Sequence, residues 1–217
     1  MLYIVSTPIG NLKDITLRAI EVLKSVDLIA CEDTRHTKIL LDSYGINKPT
    51  TSFFQHNRFI KAEYILNLLK DGKDVALVSD AGTPGILDPG YNLINLAIKS
   101  NASISAIPGP SAFLNALVLS GKPAHEFYFC GFLPSKKIAR INKLIKLIKL
   151  DCTIICYESP HRILSTLEDL CEILNNKEIV VARELTKKFE EILRASPKTI
   201  LDRLSKSKPR GEFVIVI

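Results

Sequence analysis

Four short segments carry the residues best suited to chemistry, and each follows an apolar run. The first is Ser6-Thr7-Pro8-Ile9-Gly10-Asn11. A strand ending in Pro-x-Gly brings bare backbone close to a ligand, although an ordinary tight turn uses the same residues. It is not a GxGxxG, so a dinucleotide fingerprint is not supported. The second runs from Ser79-Asp80-Ala81-Gly82-Thr83-Pro84-Gly85 to Asp88-Pro89-Gly90. Two Gly-Pro clusters make a long, shaped loop, which is more often functional than a plain connection. No Gly-Lys-Ser/Thr follows, so it is not read as a nucleotide P-loop. Asp80 suits either a hydrogen bond to a ligand or a turn cap. The third is Ile107-Pro108-Gly109-Pro110-Ser111-Ala112, where Ser111 can cap a helix while offering backbone amides to a ligand, or serve as a cap alone. The fourth is Tyr157-Glu158-Ser159-Pro160-His161-Arg162, with Ser159 as a helix cap and Pro160 in the first turn. Glu158, His161 and Arg162 then stand at one mouth. With Ala182-Arg183-Glu184-Leu185-Thr186-Lys187 they form a candidate polar cleft wall.

A basic stretch adds a second kind of signal. Lys136, Lys137, Arg140, Lys143, Lys146 and Lys149 occur with no acidic residue among them. Ile138, Ile141, Ile145 and Ile148 supply an apolar face at helical spacing, so the basic side chains are expected on the exposed side. That describes either a solvated helix face or a phosphate-binding surface.

The elements that must hold these segments alternate. Strands are expected at Leu2 to Ser6, Leu28 to Cys31, Val75 to Ser79 and Ser103 to Ile107. Helices are expected from Asp14, as cap, to about Val26, then at Arg35 to Tyr44, Ile60 to Lys70 and Tyr91 to Lys99. Further along, strands are expected at Phe127 to Cys130, Thr153 to Tyr157, Glu178 to Ala182 and Glu212 to Ile217. Helices are expected at Lys136 to Lys149 and Arg162 to Leu174, with helical stretches between Leu185 and Leu204. The alternation predicts an α/β fold, its first sheet mostly parallel. Ser120-Gly121-Lys122-Pro123 interrupts the pattern, so two α/β domains are expected, residues 1–119 and 120–217.

Composition bounds the rest. The chain has 217 residues, 47% of them hydrophobic, enough for a core without disulfides or a structural metal. Lys and Arg number 29 against 23 Asp and Glu, a net charge of +6 that suits a polyanionic partner. Five cysteines without a CxxC read as small core residues in a reducing compartment. Four histidines show no metal-ligand spacing, so no metal is expected. Met1 to Val5 has no basic n-region, and no run reaches the roughly 18 apolar residues of a membrane span. The expectation is a cytoplasmic protein away from membranes.

At the four loops the sequence resembles the ribosomal RNA small-subunit methyltransferase I group of the tetrapyrrole methylase superfamily. The resemblance covers nearly the whole chain. It includes Leu2 through Leu12, Asp27-Leu28-Ile29-Ala30-Cys31-Glu32-Asp33-Thr34-Arg35, and Leu77 through Gly85. It continues with Ile107 through Ala112, Gly131-Phe132-Leu133-Pro134, Tyr157 through Arg162, Ala182 through Glu191 and Gly211-Glu212-Phe213-Val214. The resemblance implies two class III methyltransferase domains, the second sheet mixed, with S-adenosylmethionine in the cleft between them, and a homodimer. It implies cofactor contacts at Pro8, Ile9, Asp80, Thr83, Ser111, Ala112, Tyr157 and Ala182. The implied reaction is 2′-O-methylation of a cytidine in the decoding region of small-subunit ribosomal RNA, as naked RNA or as an assembled small subunit. Two departures stand out. Phe54-Gln55-His56-Asn57 replaces the common His-Glu-His-Asn, and Leu87 stands where Ser is usual. Many members also continue past the final strand.

Methyl transfer from a sulfonium is an in-line displacement, so alignment of the acceptor hydroxyl is the main task. The hydroxyl proton needs a base, or the developing alkoxide a cation. Glu158 or Glu184 is expected to accept the proton, with Arg183 and Lys187 holding charge beside them. Asp33, Arg35, His161, Arg162, Lys137 and Arg140 are expected on the RNA side. The competing readings are a methyltransferase of the same fold acting on a small molecule and a non-catalytic ribosome-binding factor. A phosphate-handling hydrolase built on Ser79 to Gly85 is a more distant third.

Overall fold

The structure is a computed structural model that describes residues 1–54, 58–175 and 177–217. The chain forms two compact units, Met1–Ser111 and Ala112–Ile217.

The first unit is built on five parallel strands: β1 (Leu2–Val5), β2 (Leu28–Cys31), β3 (Thr50–Ser52), β4 (Val75–Val78) and β5 (Ile104–Ile107). Their order is β3-β2-β4-β1-β5. Every residue of β2 and β4 is buried, as expected for a parallel sheet covered on both faces. The covering helices are α1 (Leu17–Ser25), α2 (Thr34–Ser43), α3 (Arg58–Lys70) and α4 (Tyr91–Lys99). Strand parity decides which helices each residue meets. Ile29, Cys31, Ala76 and Val78 pack with Ala19, Leu23, Leu40 and Leu41 of α1 and α2. Leu28, Ala30, Val75 and Leu77 pack with Ala62, Ile65, Leu93 and Ala97 of α3 and α4.

The second unit holds β6 (Phe127–Phe132), β7 (Thr153–Glu158), β8 (Ile179–Arg183), β9 (Glu191–Ala195) and β10 (Phe213–Val216), in the order β6-β7-β10-β8-β9. β6 and β7 are parallel and the remaining pairs antiparallel. Its helices are α5 (Ala112–Ser120), α6 (Lys137–Leu147), α7 (Ile163–Leu174) and α8 (Pro197–Leu204). β10 lies in the middle of the sheet and is buried throughout, which explains its run of apolar residues. Phe213 pairs with both Glu158 and Arg183, so the ends of β7 and β8 and the start of β10 lie level.

Several expectations change. α5 packs on β7, β9 and β10, so the units divide at Ser111 rather than near Leu119 to Pro123. Asp14 ends a short 3₁₀ turn, and Thr16 caps α1 by accepting the Ala19 amide N–H. β3 is short and polar, and carries no apolar signal. β9 occupies part of the stretch read as helical, because Leu193 buries itself in the sheet while Arg194 faces solvent. α6 is rotated from its expected face. Arg140, Leu144 and Leu147 point inward, while Ile138 is 77% exposed. Among the described residues no helix is long and apolar enough to cross a membrane.

Candidate active-site loops

In the first unit three of the four segments are bound to one another. Thr7 and Gly82 exchange backbone hydrogen bonds at 2.9 and 3.1 Å, an isolated antiparallel bridge. The Thr7 hydroxyl donates to the Ser79 carbonyl at 3.0 Å, and the Ser6 and Thr83 hydroxyls pair at 2.8 Å. Gly82 has φ +77°, a conformation that favours glycine. Gly109 backs against Ser6 so closely that a Cβ there would sit 2.8 Å from the Ser6 Cβ. Pro8 and Ile9 are buried beside this junction, and Thr83, Ser111 and Ala112 are half-buried.

Asp80 links these loops to the start of α2. Its Oδ1 accepts the Asp33 amide N–H at 3.2 Å. Asp33 in turn caps α2, accepting the Arg35 amide N–H at 2.8 Å. The Arg35 guanidinium folds back on the same carboxylate, 2.8 Å from Oδ2, and together these bonds hold Asp33 well below the usual carboxylate range. Arg35 remains 90% exposed, so it stands ready for a second anion. Two carboxylates not singled out from the sequence join the cluster. Burial, then the charges of Asp80 and Asp88, pushes Glu32 up. Burial also raises Asp88, partly offset by a hydrogen bond with Ser79. Glu32 and Asp88 line a cavity of about 340 Å³ with Phe53, Leu87 and Tyr91. Glu32 precedes Asp33 and Asp88 lies in the loop after β4, and nothing in their spacing marks them as a pair.

In the second unit the expected proton acceptors differ sharply. The Glu158 side chain is fully buried. Oε1 accepts the Ser159 amide N–H and Arg162 Nε–H, both at 2.8 Å. Oε2 accepts Arg162 Nη2 at 3.0 Å and the Thr166 hydroxyl at 2.7 Å. With four donors and no exposure it does not fit the role of taking a proton from a substrate. It fixes Arg162, which also donates to the Leu133 carbonyl at 2.7 Å. His161 is exposed beside them. Glu184 is different. It sits at φ +52°, at the level of the β7 end, with its side chain across Gly211. Lys187 Nζ bridges Glu184 Oε1 and Glu212 Oε2, each at 2.9 Å. Burial alone would raise Glu184, but Lys187 and the Glu212 amide outweigh it and hold the carboxyl below its ordinary value. Arg183 donates to the Arg210 carbonyl at 2.7 Å. Glu212, the other partner of Lys187, was not foreseen, because its place opposite Glu184 depends on the pairing of β10 with β8.

Tyr157 lies in an aromatic group. Phe113 stacks on Phe129 at 4.4 Å, and Tyr157 meets Phe129 and Phe132 edge-on. The Tyr157 hydroxyl accepts the Phe113 amide N–H at 3.2 Å, which ties the start of α5 to β7. Ala182 is wholly buried between β10 and β9, so its methyl group presents no surface to a cofactor. Of the two α6 residues expected to meet RNA, Arg140 serves the fold, while Lys137 keeps 59% of its side chain exposed. Arg140 is buried, 2.6 Å from Asp169 Oδ2, and Lys137 pairs with Glu172 at 3.4 Å. Among the described residues no group of three or more His, Cys, Asp or Glu is arranged to hold a metal. Gln55, His56 and Asn57, three of the residues at the departure from His-Glu-His-Asn, lie outside the described residues.

Comparison with known proteins places these loops in a family. The tetrapyrrole (corrin/porphyrin) methylase model matches residues 1–200. A Thermotoga maritima protein named ribosomal RNA small subunit methyltransferase I is 46% identical over 217 residues, covering all of this chain and 97% of its own length. A Vibrio cholerae protein of the same name is 46% identical over 220 residues, covering all of this chain and 76% of its own. Among solved structures, diphthine synthase matches with a TM-score of 0.77 at 15% identity, over 100% of this chain and 88% of that one. Cobalt precorrin-4 methyltransferase matches with a TM-score of 0.72 at 16% identity, over 99% and 93%. Those two share the fold, while the full-length identities decide the group: the chain belongs to the tetrapyrrole methylase family, among the proteins named ribosomal RNA small subunit methyltransferase I.

Proposed function

We propose that this protein transfers a methyl group from S-adenosylmethionine to the ribose 2′-hydroxyl of a cytidine in the decoding region of small-subunit ribosomal RNA. The observation that carries the reading is the 46% identity, over the whole chain, to a protein named for that RNA. The reading includes a cytoplasmic homodimer, as in the family the sequence resembles.

The residues present fit the cofactor. Gly109 lets its loop pack directly on Ser6, and the Ser6–Thr83 hydroxyl pair and the Asp80 main chain offer polar groups beside that junction. Pro8, Ile9, Asp80, Thr83, Ser111, Ala112 and Tyr157 would hold it. When bound, S-adenosylmethionine supplies an activated methyl group on a sulfonium. Transfer of that methyl to the ribose oxygen would leave the sulfur with the electron pair of its carbon–sulfur bond. The hydroxyl proton leaves to a base. Glu184 is ionised at neutral pH, the state a proton acceptor requires, and Oε2 lies outside its bonds to Lys187 and Glu212. Lys187 holds Glu184 in place and offsets negative charge on the ribose oxygen. Glu158 positions Arg162. Arg35, His161, and the exposed Lys136, Lys146 and Lys149 meet phosphates.

RNA binding measured across a salt series tests the substrate class. A steep fall in affinity with salt, by several counterions, is expected. Salt-independent cofactor turnover on a small heterocycle, with no RNA binding, would point to a small-molecule methyltransferase instead.

A further inference from the structure

Beside the first loop lies a cavity of about 190 Å³. It is smaller than the roughly 300 Å³ at which sites for whole small molecules begin, and so suits a single ring. Pro8, Leu12, Ile39 and Leu40 give it apolar walls. Leu12 and Ile39 are 39% and 60% exposed and give it an apolar rim.

The polar groups in the cavity are few and specific. Thr37 is buried, and its Oγ1 has no hydrogen-bond partner among the described residues. A threonine inside a helix usually returns this bond to the carbonyl one turn back. Here the Asp33 carbonyl takes the Thr37 amide N–H as in any helix, but the hydroxyl makes no such bond and interacts only weakly, with the Cys31 thiol. A buried hydroxyl without a strong partner at the wall of a cavity is a group prepared for a ligand. Asp80 lines the same cavity, its Oδ1 tied to the Asp33 amide. His36 stands exposed at the rim.

We propose that this cavity receives one pyrimidine base of the RNA and selects cytosine over uracil. The proposal rests on the reading of an RNA substrate. An unstacked base in single-stranded RNA is read on its Watson–Crick edge. Cytosine offers the N4 amino donor next to the N3 and O2 acceptors. The Asp80 carboxylate takes the amino group, and the Thr37 hydroxyl donates to a ring acceptor. Uracil would turn its O4 acceptor toward the Asp80 carboxylate, a repulsive pairing. The main chain of Asp80 stays with its loop beside Thr7 and Gly82 while its side chain reads the base.

Two measurements test this. The first follows the His36 imidazole proton by NMR while cytidine or uridine monophosphate is added to millimolar concentration. The wild type should shift with cytidine at least several-fold more strongly than with uridine. Thr37→Val, which keeps the shape and removes the hydroxyl, should weaken the cytidine shift several-fold while its S-adenosylmethionine affinity stays within about twofold of wild type. The second measures methyl transfer to small ribosomal subunits, where Thr37→Val should raise KM or lower kcat by about tenfold, the loss of one good hydrogen bond. Equal shifts for the two nucleotides, no shift at all, or wild-type transfer by Thr37→Val would overturn the proposal. Failure of the wild type to methylate RNA would instead count against the RNA reading, and the nucleotide titration would still decide the cavity.

Discussion

Arg140 Nε lies 2.6 Å from Asp169 Oδ2, and the two side chains are only 5% and 1% exposed. Arg140 also donates to the Ser135 and Ser165 carbonyls, so a residue from the most basic helix of the chain is an internal brace between α6 and α7. Arg140→Ala leaves the Asp169 charge buried with only Lys137, 3.8 Å from Oδ1, to compensate. Breaking such a pair costs about 3–5 kcal/mol, whereas replacing both residues by apolar ones of similar size is close to neutral. Urea unfolding of Arg140→Ala and of the double variant Arg140→Met with Asp169→Leu checks both. An Arg140→Ala protein of unchanged stability but weakened RNA binding would restore Arg140 to the surface role.

Glu158 and Glu184 should separate in the laboratory as they do in the structure. Glu158→Ala strands Arg162 and Thr166 and is expected to lose about 3–5 kcal/mol of stability, with turnover surviving in the protein that remains folded. Glu184→Gln keeps the shape and the bond to Lys187, and is expected to lower kcat by about 10²–10⁴-fold with cofactor affinity unchanged. Thermal melts, calorimetry and single-turnover rates on both variants distinguish the roles. The opposite assignment predicts the reverse pattern.

Gly109→Ala tests the close approach of the third loop to the first. The added methyl group must displace Ser6, whose hydroxyl pairs with Thr83. S-adenosylmethionine affinity should fall by about tenfold or more, near 1.4 kcal/mol, measured by calorimetry. Full affinity would remove the Ser6–Gly109 contact from the cofactor site.

The raised carboxyls of Glu32 and Asp88 make a pH-dependent prediction. A carboxyl whose folded pKa lies above its unfolded value holds its proton longer in the folded state. Its contribution is then complete below the unfolded value near 4 and declines as pH rises through the folded pKa. Glu32→Gln removes that loss, so the variant should melt about 1–2 °C higher than wild type at pH 7, a gain on the order of 0.5 kcal/mol after solvent screening. At pH 4 the difference should vanish. A variant less stable at pH 7 would mean that the Glu32 charge is used by the fold.

The alternation of apolar runs with helical stretches made the parallel first sheet legible, because β2 and β4 are buried on both faces and carry almost nothing polar. The strand-end loops were legible for a related reason, since Gly82 and Gly109 occupy positions where bulk or geometry forbids other residues. β3 and β9 were not legible. Thr50, Thr51 and Ser52 are polar and short, and the alternation of β9 is brief and carries charged residues. The inward face of α6 is not legible, because isoleucines at helical spacing mark a core face only when nothing else competes. Leu144, Leu147 and the Arg140–Asp169 pair compete and win. Saturation of Glu158 was hidden as well, because Arg162 and Thr166 bond it only once β7 and α7 are folded together.

The most direct test incubates the protein with labelled S-adenosylmethionine and undermodified small ribosomal subunits, followed by mass spectrometry of the RNA nucleosides. The account predicts 2′-O-methylcytidine at a single site in the decoding region. A methyl group on a base, on another nucleoside, or on no RNA at all despite bound cofactor would contradict it.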